Sequence, residues 1–385
     1  MAHGELKKMA VIYDNEQRNG YCSGEVVSGQ VLLQLSESTK VKDIHILVKG
    51  YAQVCWNDRL SNCSEERKHL SLSKTLLAAT GTQDLILDCG THVIPFQLEL
   101  PQSPLVSSFT GKYGRVYYMV KAVLKRPFHE KQHACRELSI ISHIDINMPS
   151  LIFPMSQTCE KMIGCWIFTS GLVSLTVNVD RMGYCSGELI PIFARIENRS
   201  SRLVVPKAVI YQIQTCMANG KMKIVKQVVA SVRGNVVPSD SSHRWNGKTL
   251  KIPPVSPSIL NSDILRVEYI LEVIVQIPGA KNLKVKFPVV IGTIPYNGLG
   301  RHTFSMSSHS SADMRALTLT LPGVPEAPPS YADVVTEEEF EEHRTSIQLS
   351  QPDWLLNGPA YACIQQFRFQ PPPIYSEVNP HPIEH

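Results

Sequence analysis

A chain of 385 residues with 38 Lys or Arg against 34 Asp or Glu is too long for one ordinary sandwich and suits two domains of about 150 residues with a tail. Its apolar and charged fractions, 43% and 19%, lie near the globular average and exclude a wholly disordered or fibrous chain. No apolar run reaches the roughly 20 residues that span a bilayer, and the start, MAHGELKKMAVIYDNEQ, lacks a signal-peptide core, so a soluble, cytoplasmic protein is expected.

The net charge of +4 is divided: residues 298–385 hold no lysine, four arginines and eleven Asp or Glu, a net −7 that leaves +11 on residues 1–297. A basic body suits acidic partners such as anionic lipid or phosphorylated segments, although lysines scattered over a solvated surface give the same total. The ten cysteines, at positions 22, 55, 63, 89, 135, 159, 165, 185, 216 and 363, form no Cys-x-x-Cys pair, so neither a zinc site nor a dense disulfide framework is expected. They read as reduced thiols in or near the cores, and no cofactor or metal is implied. The sequons at Asn62 and Asn198 would meet no glycosylation machinery in the cytoplasm.

Along the chain the most informative feature is a repeat. Gly20-Tyr21-Cys22-Ser23-Gly24-Glu25 returns letter for letter as Gly183-Tyr184-Cys185-Ser186-Gly187-Glu188. Leu98-Glu99-Leu100-Pro101-Gln102-Ser103-Pro104 is echoed by Leu250-Lys251-Ile252-Pro253-Pro254-Val255-Ser256-Pro257, and Arg115-Val116-Tyr117-Tyr118 by Arg266-Val267-Glu268-Tyr269. Three matches in one order indicate two copies of one domain. In the first copy Ile94, Phe96, Leu98 and Leu100 alternate with polar neighbours. In the second, Val173, Leu175, Val177 and Val179 do the same, as do Val267, Tyr269, Leu271, Val273 and Val275. Period two buries one strand face and wets the other, while the Gly-Tyr-Cys-Ser-Gly words read as turns between strands, with glycine supplying positive φ. The expected fold is all-β: two tandem immunoglobulin-like β-sandwich domains over residues 1–150 and 151–297. The boundary is set near Asn147-Met148-Pro149-Ser150, where a strand-like run from Leu138 to Ile146 meets a proline. A serine- and proline-rich tail, 298–385, cannot bury enough apolar surface to offset its ordering entropy and is expected to be largely disordered.

In that tail Pro328-Pro329-Ser330-Tyr331 and Pro372-Pro373-Ile374-Tyr375 both fit Pro-Pro-x-Tyr. Consecutive prolines hold polyproline II before binding, so their rings enter the aromatic cleft of a WW domain at little entropic cost, and the tyrosine fills the adjoining pocket. Pro328, Pro329, Tyr331, Pro372, Pro373 and Tyr375 are therefore the candidate WW-domain contacts. The tyrosines lie 44 residues apart, a flexible span of roughly 35 Å that could bridge tandem WW domains. In GKYGRVYYMVKAVLKRP the basic residues Lys112, Arg115, Lys121, Lys125 and Arg126 form a candidate contact for acidic cargo tails or lipid headgroups, with Lys121 and Lys125 on one strand face. An ordinary exposed strand face with aliphatic stems over the core edge fits the same residues. Nucleic-acid binding is disfavoured for want of any recognised signature. No metalloprotease, hydrolase, Walker or dinucleotide motif occurs, and the one His-x-Asp pair, His143 and Asp145, gives no catalytic set. The chain reads as a non-enzyme.

The duplicated sandwich, VVPKAVIYQIQ at 204–214, WNGKTLKIPPVSPSIL at 245–260, and the tail words APPSYADVVTEEE and FRFQPPPIYSEV together resemble the α-arrestin family over essentially the whole chain. The resemblance implies two arrestin-type sandwiches. It also implies an adaptor that joins membrane receptors or transporters, as cargo, to Nedd4-family HECT ubiquitin ligases, promoting ubiquitination, endocytosis and endosomal sorting, with recruitment to plasma membrane and endosomes. One branch of the family binds thioredoxin through a cysteine three residues before a Trp-x-Gly-Lys word. Here Ser242 precedes Trp245, and serine forms no mixed disulfide. A thioredoxin-binding redox regulator would then need another thiol, with Cys216 or Cys185 the candidates.

Overall fold

The computed structural model describes residues 6–58, 61–79, 85–165 and 168–297. The first domain contains β1 (Leu6–Tyr13), β2 (Val26–Leu35), β3 (Thr39–Val41), β4 (Asp43–Asp58), β5 (Ser61–Ala78), β6 (Leu85–Leu87), β7 (Gly90–Glu99), β8 (Phe109–Thr110), β9 (Gly114–Lys125) and β10 (Gln132–Leu138). One sheet has the order β1-β2-β7, the other β10-β9-β4-β5 with β8 beside β9, and β3 pairs with β6 in a small separate ladder. After a one-turn helix, α1 (Pro149–Ile152), the second domain contains β11 (Met155–Cys165), β12 (Phe168–Val179), β13 (Gly183–Cys185), β14 (Leu189–Asn198), β15 (Val205–Ala218), β16 (Lys221–Arg233), β17 (Ser241–Lys251), β18 (Leu265–Gln276) and β19 (Leu283–Gly292). Its sheets run β11-β12-β14-β17 and β13-β19-β18-β15-β16.

Alternation in the sequence becomes alternation in burial. On β2, Val27, Val31, Leu33 and Leu35 point inward while Val26, Gln30 and Gln34 face water; across the sandwich Ile46 and Val48 of β4 and Val120 and Leu124 of β9 are fully buried. Each such side chain contributes about 1.5–3 kcal/mol by leaving water. The three alternating stretches fall on β7, β12 and β18, with Phe96, Leu175 and Tyr269 buried.

The duplication is visible atom by atom. Tyr118 donates its hydroxyl to the Val106 carbonyl at 2.7 Å and Tyr269 donates to the Ser256 carbonyl at 2.6 Å, so both copies tie the strand after the proline-rich connection back to that connection. Leu100 N donates to Glu25 O and Ile252 N to Glu188 O, both near 2.8–2.9 Å. The repeated six-letter word is more than a turn. Gly183–Cys185 is strand β13, parallel to Val290–Gly292 of β19, and Tyr21 makes the matching parallel bridge to Ile140. Only its Ser-Gly half turns, with Gly24 at φ 80 and Gly187 at φ 88, values that side-chain-bearing residues rarely adopt.

The run from Leu138 to Ile146 is not one strand. β10 ends at Leu138, and the rest crosses to the second domain, where Asp145 bridges Ile294 and the Thr293 hydroxyl is held between Ile144 N and Ser142 O at 2.9 and 2.8 Å. The domains also meet through a buried polar relay. Lys112 N donates to Gln214 Oε1 at 3.4 Å, Gln214 Nε2 to Gln212 Oε1 at 2.7 Å, and Gln212 Nε2 to the Tyr269 hydroxyl at 2.8 Å. Asn198, 0% exposed, gives its amide to the carbonyls of Arg202, Val237 and Pro238 and receives Ser200 N and Oγ. In the folded chain that sequon is closed to any glycosyltransferase.

Removing one tyrosine hydroxyl leaves a part-buried carbonyl without that donor, a cost of about 1 kcal/mol. Tyr118→Phe and Tyr269→Phe are each expected to lower the melting temperature by about 2–4 °C per kcal/mol lost. Tyr269→Phe should cost more, because it also strands the Gln212 amide. Melting curves superimposable on the parent's would show that the hydroxyls carry no net stability.

Candidate functional site

The tail residues Pro328, Pro329, Tyr331, Pro372, Pro373 and Tyr375 lie outside the described residues. The basic candidates are described, and they start from β9. Its inward residues Val116, Tyr118 and Val120 form core, which leaves Arg115, Tyr117, Met119, Lys121 and Lys125 outward. Antiparallel register sets opposite them, on β4, Gln53, Tyr51, Lys49, Leu47 and Asp43. Lys121 and Lys125 do share a face, as the strand period requires.

Cross-strand neighbours then decide which charges project. Lys125 reaches Asp43 at 3.1 Å, and His45 contacts the other oxygen of the same carboxylate at 2.7 Å. Burial pushes the Asp43 carboxyl up, but the hydrogen bonds from His45 and Lys125 outweigh it and hold it below the usual range. Arg115 grips Gln53 Oε1 through Nε and Nη2 at 2.9 and 2.6 Å and lies 4.5 Å over the Tyr117 ring, which stacks on Tyr51 at 5.7 Å. Lys112 is exposed at the domain junction, 5.4 Å from the Tyr113 ring, whose centroid is also 5.5 Å from the Lys223 ammonium of the second domain. Arg126 turns inward, 9% exposed, and donates to Gln132 at 3.0 Å. The five residues therefore do not make one patch. Lys121 shares the outward face with the Arg115-Tyr117-Tyr51 row but lies four residues beyond Tyr117. The row holds its own carboxylates in Glu66, bonded to Tyr117, and Glu137, near Arg115. Lys125 is met by Asp43, and Lys112 belongs to the junction.

The second domain has its own cationic feature. Glu272, 1% exposed, is held by Lys226 at 3.2 Å and Lys284 at 3.3 Å, and the Lys226 ammonium sits 3.6 Å over Tyr211. Burial raises the Glu272 carboxyl, and the two lysines more than reverse that. His143 and Asp145 form no dyad: both are exposed in the linker, and the Asp145 carboxylate accepts from Asn147 N and Nδ2 at 2.9 and 2.7 Å. No metal-ligating cluster exists among the described residues.

Two polar braces emerge only in three dimensions. Arg18 pairs with Glu25 and lies 4.3 Å over Tyr21; Arg181 pairs with Glu188 at 3.0 Å and lies 4.3 Å over Tyr184. In both copies the glutamate also caps a cysteine amide, Cys22 N at 2.7 Å and Cys185 N at 3.1 Å. A signal for them is present in the sequence, since the repeat is Arg-x-Gly-Tyr-Cys-Ser-Gly-Glu in both copies, two letters longer than the six-letter word.

Thiol chemistry divides by burial. Cys185 and Cys216 are 0% exposed, and burial pushes both thiols up to about 12; Cys22 is pushed up to about 11. Cys89 and Cys135 are exposed, and Ser242 is exposed on β17, at a sheet edge. Because the thiolate is the nucleophile, brief maleimide treatment of the native chain is expected to label Cys89 and Cys135 while sparing Cys185 and Cys216 until denaturant is added. Peptide mass spectrometry reads this, and rapid native labelling of Cys216 would contradict its enclosure.

Comparison with known proteins agrees with the geometry. The profile of the arrestin (or S-antigen) N-terminal domain matches residues 9–147 and that of the C-terminal domain residues 169–296. Arrestin domain-containing protein 4 of Homo sapiens is 49% identical over 397 residues, covering 100% of this chain and 94% of that protein; its Mus musculus counterpart is 50% identical over 391 residues, covering 98% and 94%. Thioredoxin-interacting protein of Homo sapiens is 39% identical over 381 residues, covering 98% and 97%. A finer placement beside arrestin domain-containing proteins 3 and 2, which the sequence words suggest, is not supported by these relatives. With both domains matched and both sandwiches built, the chain belongs to the arrestin family, with α-arrestins as its near relatives.

Proposed function

We propose that this chain is a non-enzymatic adaptor whose body engages membrane cargo and whose tail recruits a Nedd4-family HECT ubiquitin ligase through WW domains. The observation that carries the reading is the pair of Pro-Pro-x-Tyr words ending at Tyr331 and Tyr375, 44 residues apart in an acidic segment without lysine. Each motif alone docks weakly. Two on one tether raise the effective concentration of the second after the first has bound, for an avidity gain of about 10²-fold or more. Without lysine, that segment offers no side-chain amine for ubiquitin, so transfer is directed to bound cargo or to the body.

The body supports the cargo half through outward groups. The Arg115-Tyr117-Tyr51 row with Lys121 on the β9 face offers cationic and aromatic contacts suited to acidic cytoplasmic tails of receptors or transporters. A cytoplasmic protein drawn to plasma membrane and endosomes by its cargo fits this division of labour.

The rival reading, a redox regulator that sequesters thioredoxin, draws on the likeness to thioredoxin-interacting protein at 39% identity. Against it stand Ser242 at the exposed edge-strand position and the enclosure of Cys185 and Cys216.

Tyr331→Ala combined with Tyr375→Ala is expected to abolish retention of the full chain on immobilised WW domains, with either single change weakening it in part. Undiminished retention of the double variant would overturn the adaptor reading. A non-reducing gel after incubation with thioredoxin lacking its resolving cysteine is expected to show no mixed disulfide, and a shifted band would revive the redox reading.

A further inference from the structure

The hairpin joining β9 to β10 carries a feature that neither cargo binding nor ligase recruitment uses. Phe128 stands at its tip with a relative exposure of 107%, as open as an aromatic side chain can be, and with φ at 60. A non-glycine residue in the left-handed region is uncommon, and for a bulky one it is an outlier. The support beneath it is firm. β9 and β10 stay paired from Leu138↔Tyr118 to Gln132↔Leu124, Arg126 crosses the base of the turn to Gln132, and the His129 ring nitrogen meets the Pro127 carbonyl at 2.8 Å. The ring is therefore displayed by a rigid ladder.

Its surroundings are basic. Lys131 and His129 are exposed on the same turn. Lys42 N donates to the Lys125 carbonyl at 2.8 Å, which seats the β3–β4 connection, with exposed Lys40 and Lys42, beside the base of the hairpin. Opposite Lys40 in the β3–β6 ladder is Ile86, 55% exposed. Among the described residues the acidic groups at this end are exposed Glu130 and also Asp43, already engaged by Lys125 and His45. Flanking the far end of the β3–β6 ladder are exposed Glu37 and Asp88, the latter accepting from Ser38 Oγ at 3.4 Å. This end also faces away from the second domain. β9 begins at Gly114, where an added Cβ would lie 2.9 Å from Leu265 and 3.2 Å from Cys216. Its 12 residues then carry the chain roughly 40 Å before the turn.

We propose that this end of the first domain is a lipid-docking tip, with Phe128 entering the interfacial layer of an anionic bilayer while Lys40, Lys42 and Lys131 contact the headgroups. No described residue walls the Phe128 ring, so the hairpin offers no cleft with which to clasp a peptide. A bilayer interface accepts such a ring from any direction, and long lysine side chains let their stems follow it while the ammonium groups stay wet. One aromatic with a few lysines gives reversible attachment, which suits a body that must find cargo and leave again. The inference rests on the adaptor reading only for its biological setting, and lipid binding is measured without any WW domain.

Full-length chain is sedimented with phosphatidylcholine vesicles with and without phosphatidylserine. The expected result is binding to the anionic vesicles that falls by about tenfold in Phe128→Ser, as the transfer of one aromatic ring predicts, and falls with rising salt in the parent. Lys42→Glu with Lys131→Glu should weaken it on phosphatidylserine vesicles, and Phe128→Trp should blue-shift its added emission when those vesicles are mixed in. Because Phe128 packs against no described residue, the melting temperature and WW-domain retention of Phe128→Ser should equal the parent's, so loss of lipid binding separates from misfolding and from failure of the adaptor reading. No sedimentation of the parent, equal sedimentation of Phe128→Ser, or retention of a purified cytoplasmic protein that depends on Phe128 while vesicle binding does not, would overturn the proposal.

Discussion

Most strands that build the two sandwiches, β2, β7, β9 and β14 among them, commit one face to a core, and that constraint shapes all else the molecule can offer. Val116, Tyr118 and Val120 are unavailable to any partner because they hold β9 against the opposite sheet. What remains among the described residues is the outward half of each strand, the sheet edges and the hairpin ends. In the adaptor reading none of these is idle. That reading gives the outward residues to cargo and the tail to the ligase, and the proposed lipid contact gives the hairpin end to the membrane. Such a separation lets the tail vary its partner without disturbing a core.

Duplication supplies the rigidity that such a separation needs. Two copies of one sandwich repeat the same buried devices: the tyrosine hydroxyl tied to the preceding proline-rich connection, the arginine-glutamate brace under the Tyr-Cys strand, and the glycine turn that follows. They are joined by more than a tether. A relay of buried amides runs from Lys112 N through Gln214 and Gln212 to Tyr269, so the tyrosine that locks the second sandwich also terminates the contact between domains. Buried polar chains of this kind specify one arrangement, because any slip leaves several groups unpaired at once.

Much of this is legible in the residues. Alternation in 94–100, 173–179 and 267–275 locates β7, β12 and β18, because period two has no other simple explanation. The parallel strand β13 reads as a turn because its partner, β19, lies about a hundred residues downstream and three residues show no period. The fate of each basic side chain is equally hidden. Lys125 is met by Asp43 and Arg115 by Gln53 only because β4 runs antiparallel at that register, and Arg126 is inward because the turn folds back to Gln132. Phe128 looks unremarkable between Pro127 and His129, since neither backbone sign nor exposure is written in composition. The longer Arg-to-Glu repeat is readable, yet its six contiguous identical letters draw the eye away from the arginine that completes the brace.

Two proline-tyrosine motifs on one tether must act together on a partner with paired WW domains if the adaptor reading holds. Titration calorimetry of the full chain with a tandem WW-domain fragment measures that directly. The expected result is one-to-one binding, about 10²-fold tighter than a peptide carrying either motif alone. An affinity no better than that of a single peptide, or no measurable heat, would contradict it.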